Sequence, residues 1–328
     1  MKRATELTLL ALLLVSFDQA AWSAEPLQLE SKIALGPVAG RIDHLAYDAA
    51  RQRLFVAELG NNSVGIVDLK AGKVAGRLQG LSEPQGVAWH EPSQTLWIAN
   101  AGDGSVRVYQ GDLQPAGSIA LGDDADNIRL DRARDRIVVG YGKGGLATID
   151  PSTRRKTGEV ALKGHPESFQ FDEQGQRVFV NVPDAREIAV VDVGQGKQTG
   201  SLDLGGVRSN FPMAVDGEAH HLLVVTRSPA QLMAFATADG TAVASVRTCG
   251  DSDDLFVDPR RQRVYVTCGE GVIEVFARRG DAYDSIGRVP TVAGARTSLF
   301  VADADRLYVA VRASGSEPAA IWAFRPLP

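Results

Sequence analysis

Five carboxylates, Asp43, Asp126, Glu167, Asp253 and Asp254, stand at or next to the starts of short apolar segments that resemble one another along the chain. These segments read DHLAYD from Asp43, QGVAWH from Gln85, DNIRLD from Asp126, ESFQFD from Glu167, FPMAVD from Phe211, DDLFVD from Asp253 and TSLFVA from Thr297. If the segments lie side by side, their first residues converge, and the second residue of each brings His44, Asn127 and Asp254 along. Carboxylates gathered out of bulk water raise one another's pKa unless positive charge lies between them. Arg41, His165, Arg208 and Arg296 are close enough in sequence to supply part of it. A divalent cation is the other solution. Asn127, Glu167, Asp253 and Asp254 form an oxygen-rich set suited to calcium, and His44 adds a nitrogen for a transition metal. A hydrated polar channel with local ion pairs accounts for the same residues without any ion.

The elements that must bring these residues together follow from spacing. The segment starts are 42, 41, 41, 44, 42 and 44 residues apart, and a period near 40–45 with several strands per repeat is the signature of propeller blades. Each first strand is followed by one rich in β-branched and aromatic residues: RLFVA from Arg53, LWIAN from Leu96, RIVVG from Arg136, RVFVN from Arg177, LLVVT from Leu222, RVYVT from Arg263 and RLYVA from Arg306. Such strands suit burial on both faces between neighbouring blades. A third strand follows in each unit, then a more polar fourth such as GKVAGRL, which suits the outer rim. The seventh unit lacks a fourth strand before Pro328, and Leu27 to Gly36 resembles one. The expected fold is therefore all-β, a seven-bladed propeller of four-stranded blades. Its N-terminal strand pairs with the last blade and hides the open sheet edges.

The third strands carry a resemblance. NNSVGIVDL at Asn61 and GDGSVRVY at Gly102 are similar to the repeat of YVTN-type β-propellers. That resemblance implies the propeller fold over the whole mature chain, and a fold that hosts many functions.

Residues 1–24 read as a secretory signal: basic Lys2 and Arg3, an apolar run from Leu7 to Phe17, and a small-x-small site at Ala21-Trp22-Ser23. The remainder, residues 25–328, is expected to form one domain, exported to the periplasm or the extracellular space, with no membrane span after processing. The formal net charge of −5 argues against a nucleic-acid partner, which calls for a basic stripe. An oxidising compartment favours a disulfide between the two cysteines, Cys249 and Cys268, over a metal pair or a redox site.

Other polar residues belong to architecture. Asp48, Asp131, Asp172 and Asp258 end first strands, and Arg53, Arg136, Arg177 and Arg263 follow each by five residues. A pair recurring at the same place in four units is turn structure rather than chemistry. His90 and His221 lie near these turns and read as structural. Tyr141 and Phe211, beside the converging residues, could stack on a ligand or simply pack.

Three functions stay open. The first is a scaffold that binds a small molecule or an envelope protein over its polar central face through Asp43, His44, Gln85, Asp126, Asn127, Glu167, Asp253, Asp254 and Arg296. The second is a metal-dependent hydrolase resembling gluconolactonase-type propellers, its cation held by Asn127, Glu167, Asp253 and Asp254, with Asp43 or His44 as base. The third is an accessory or quinoprotein-like envelope subunit, since amine dehydrogenase heavy chains are also propellers.

Overall fold

A computed structural model describes residues 25–172 and 176–328; the expected signal segment lies outside the described residues. The described strands form seven antiparallel four-stranded sheets, six of them with strands in sequence order from the centre outwards and the seventh with the N-terminal strand outermost. Blade one comprises Leu45–Asp48, Arg53–Glu58, Ser63–Asp68 and Lys73–Leu78, and the next five blades repeat the scheme. The seventh is completed as expected. Thr297–Val301, Arg306–Val311 and Ala320–Pro326 are joined by Leu27–Ala34, which pairs antiparallel with the last strand from Leu27 opposite Pro326 to Ala34 opposite Ala320.

Burial follows the sequence pattern. Second strands such as Thr95–Asn100 are buried along their whole length, whereas the outer strand Lys73–Leu78 is half-buried or exposed. The core lies between blades. Phe55, Val64 and Ile66 of blade one pack with Trp89, Leu96 and Tyr109 of blade two. At the closing seam, Ile33 and Leu35 join Leu54 and Val56 of blade one and Tyr308 and Ile321 of blade seven. The ring is thus held by hydrophobic burial between neighbours as well as by the strand ladder.

The turn between first and second strands is a repeated device. The residue before the second strand is left-handed at Gln52, Gln94, Asp135, His220, Gln262 and Asp305. The preceding aspartate anchors the turn: Asp48 meets Arg53 at 2.9 Å, Asp131 meets Arg136 at 2.7 Å, and Asp172 meets Arg177 at 3.0 Å. Blade six departs from the expected pairing. There Asp258 is held by Arg261 at 3.0 Å and by the Tyr265 hydroxyl at 2.7 Å, because Arg263 turns away to donate to the Leu327 carbonyl near the C-terminus. His90 contacts Ser93 and Asp135, and His221 contacts Tyr283, both close to these turns. Cys249 and Cys268 form a disulfide, with Cα atoms 6.0 Å apart, that ties the lead-in of blade six to the end of its second strand.

Candidate functional site at the channel mouth

The first strands line a central channel, and their starts surround one mouth, a cavity of about 260 Å³. Asp43, His44, Gln85, Asp126, Asn127, Glu167, Asp253 and Arg296 all line it, joined by Arg41, Asp124, His165, Phe211 and Arg227. Gly86 explains why blades two and three approach so closely here: a Cβ at that position would sit 2.1 Å from the Asp126 carbonyl oxygen. Local register sets which side chains reach the mouth. A bulge between Ala125 and Ile128 interrupts the ladder of blade three and delivers both Asp126 and Asn127 to the cavity.

The mouth has two electrostatically different sides. On one, charges are matched. Arg41 donates to Asp43 at 2.7 Å, Arg296 meets Asp253 at 2.6 Å, and Arg227 meets the other Asp253 oxygen at 2.5 Å. Both Arg227 and Arg296 also reach Asp251, at 3.3 and 2.9 Å. The Arg227 guanidinium lies over the Phe211 ring, 4.0 Å from its centre. Burial nonetheless raises the pKa of Asp43, and it lifts that of Asp253 to about 6 against the pull of Arg296 and Arg227.

On the other side, Glu167 has no ion-pair partner among the described residues and feels His44 only from the floor, while Asp124 and Asp126 share one cationic partner, His165. Its Nδ1 donates to the Gly142 carbonyl at 2.6 Å, which turns Nε2 toward Asp126 at 3.4 Å. Burial opposes a charged imidazole, but the Asp126 hydrogen bond, the Gly142 carbonyl and the charges of Asp126 and Glu167 outweigh it and hold the pKa at about 9. The Glu167 carboxylate makes no hydrogen bond or ion pair among the described residues. Burial first, and Asp126 second, push its pKa up to about 8. Ligand atoms of Asp126, His165 and Glu167 lie within 4.8 Å of one another, and Asn127, 3% exposed, leaves its Oδ1 without a hydrogen-bond partner.

His44 forms the floor. It sits between Asp43, at 3.8 Å from Nε2, and Asp254, at 3.6 Å from Nδ1. Burial works against its charge, yet Asp254 and Asp43 raise its pKa to about 10. An imidazolium clamped in this way has no lone pair to act as a base at neutral pH. Asp43, engaged by Arg41 and facing His44, is poorly placed for that role as well.

The metal set expected from sequence is rearranged. Asn127 and Glu167 line the mouth, but Asp253 is neutralised by two arginines. Asp254 lies below the floor, where it accepts the Ser298 backbone N–H at 2.7 Å. The donors that do come together are Asp126, His165 and Glu167, with the Asn127 amide beside them. This mixed oxygen and nitrogen set, with the histidine's second nitrogen fixed by a carbonyl, fits a divalent transition metal better than calcium. Tyr141 is not a stacking surface: it is buried between blades two and three and donates its hydroxyl to Glu159. Arg208 is exposed at the start of its strand. Sequence reasoning singled out neither Arg227, which lies near the end of the strand His221–Ser228, nor Asp124; neither occupies the aligned first-strand position that marked the others.

No protein-family model and no curated protein matches the chain. Among solved structures, hydrazine synthase of Kuenenia stuttgartiensis is similar with a TM-score of 0.71 and 16% identity, over 81% of this chain and 91% of that one. A chain of the mitotic checkpoint complex is similar with a TM-score of 0.78 and 13% identity, over 97% and 99%. At such identities the likeness shows the β-propeller fold alone.

Proposed function

We infer that the chain is an exported YVTN-type propeller that works as a binding scaffold, its ligand presenting a cationic group to Asp126 and Glu167 at the channel mouth. One observation carries the reading: among the described residues Asp126 has His165 as its one ion-pair partner, shared with Asp124, and Glu167 has none, while the carboxylates opposite are already paired with arginines. Two buried acids that repel each other are relieved by an arriving cation more than paired acids would be. The disulfide supports an oxidising compartment. The test is thermal melting at pH 8 with calcium, manganese, zinc and propylammonium in turn. At least one should raise the melting temperature of the wild type and leave an Asp126→Asn, Glu167→Gln double variant unmoved; a panel without effect on the wild type refutes the reading.

A second reading, metal-assisted hydrolysis, is favoured by the fixed orientation of His165. Asp126, His165 and Glu167 would hold a divalent cation, whose chemistry is to polarise an ester or lactone carbonyl. The chain's own contribution would be to seat the substrate's polar groups on Arg41 and Arg227 and to limit water in the mouth. Turnover of simple lactones and aryl esters by the metal-loaded protein, lost in His165→Ala, supports it; a metal-loaded protein inert toward both classes removes it.

A further inference from the structure

Below the His44 floor the channel opens into a second chamber of about 530 Å³, which shares His44 and Ser168 with the mouth and leads toward the opposite end. Its character is different. Tyr47, Leu130, Phe256, Leu299 and Phe300 line it and each keeps part of its surface exposed, although the neighbouring strands are dry. The same side chains also pack against the cores between blades, so what each shows to the chamber is the rest of its surface. Partly exposed apolar side chains facing one enclosed space are a ligand-site signature rather than a core.

Arg129 is set in this apolar wall. Among the described residues its one hydrogen bond runs from Nη1 to the Ile128 carbonyl at 3.0 Å, it lies 5.9 Å over the Phe169 ring, and it enters no ion pair. The nearby acids are occupied. Asp254 accepts from Ser298 and faces His44, and Glu91, toward the outer edge, accepts from the Trp89 indole at 2.6 Å. Asp303 and the exposed Arg132 also stand on the chamber lining. A guanidinium has five N–H donors, so Arg129 keeps most of its capacity unspent in surroundings where a bidentate partner would be strongly held.

We propose that this chamber is a second binding site, separate from the mouth, for a small organic monoanion whose carboxylate pairs with Arg129 and whose apolar body lies against Tyr47, Phe256, Leu299 and Phe300. The charge selects the head and the aromatic wall selects the tail. A water-filled chamber with a hydrated Arg129 is the competing outcome.

Decanoate is the probe, with decanol as its neutral counterpart, followed by titration calorimetry and by tryptophan fluorescence, since Trp89 lines the chamber. Wild-type protein should bind decanoate saturably at one site, and decanol about tenfold more weakly or not at all. Arg129→Gln should weaken decanoate by a similar factor and leave decanol unchanged, while Arg129→Lys keeps part of the preference. No saturable decanoate binding, equal affinity for decanol, or an unaffected Arg129→Gln variant would each overturn the proposal. Should Arg129→Gln fail to fold, the comparison of decanoate with decanol on wild-type protein decides the matter.

Discussion

The charges at the blade turns and the charges at the channel mouth differ in one respect that orders everything else: the first repeat and the second do not. Asp48, Asp131 and Asp172 occupy the same place in three blades and each meets an arginine of its own turn. The mouth positions read Asp43, Gln85, Asp126, Glu167, Phe211, Asp253 and Thr297, seven blades with four acids, two neutral polar groups and one aromatic. A ring that needed those positions only for stability would favour one residue type, as the turns do with aspartate at five of seven aligned positions, Asp48, Asp131, Asp172, Asp216 and Asp258. Charge that repeats with the fold serves the fold; charge that breaks the repeat is where ligand recognition can reside.

Substitutions should separate the two classes. The largest effect is expected for Asp48→Ala, because Asp48 is fully buried and holds both Arg53 and the Arg51 backbone N–H. Removing one partner of a buried pair costs about 3–5 kcal/mol, so urea unfolding should register that loss while cation binding at the mouth survives in the folded fraction. Replacing both cysteines by serine should cost about 3 kcal/mol in the chain-entropy account of a loop this long, again without changing mouth affinity. Chemical denaturation with and without reductant checks it. A mouth that lost its ligand in either variant would break the distinction.

Glu167→Gln should act in the opposite direction. The folded pKa of Glu167 is raised from 4.5 to about 8, so its penalty is absent at acid pH, grows as pH climbs past the unfolded value, and is complete above the folded one. His165, raised from 6.5 to about 9, contributes stability at low pH that is lost as pH rises through its folded value. Both make the ligand-free protein less stable at alkaline pH. The variant should therefore melt higher at pH 9, by on the order of 1 kcal/mol or about 2–4 °C once screening is discounted, and match the wild type near pH 4. A variant that melts lower than the wild type at pH 9 would show that Glu167 is paired. The smallest effect is expected for Phe211→Ala, where loss of the Arg227 stack should cost about 0.5–1 kcal/mol and weaken ligand binding a few-fold by loosening the arginine side.

The propeller was legible because each blade repeats a strand-turn-strand pattern that burial enforces: Arg53–Glu58 and its counterparts can be little else. The mouth was legible to the extent that first-strand starts could be aligned, and Asp43, Gln85, Asp126, Glu167 and Asp253 do line one cavity. What alignment could not carry was the aim of the next side chain along. Bulges at Ala125/Ile128 and at Ser252/Asp254 re-aim the strands, so Asn127 joins the mouth whereas Asp254 drops beneath the floor. His165 was noted only as a nearby charge, and Arg227 was not singled out, because neither stands at an aligned first-strand start. Their roles come from contacts between blades three and four and between blades five and six, which no periodicity encodes.

The most direct measurement is calorimetric titration of metal-free protein with calcium, manganese, zinc and propylammonium in turn at pH 7.5, at least one of which the account expects to bind, wild type beside Asp126→Asn, Glu167→Gln, with the fold of each followed by circular dichroism. The account predicts one saturable site in the wild type and none in a double variant that keeps its β-rich spectrum. No saturable binding in the wild type, or equal binding in the double variant, would contradict it.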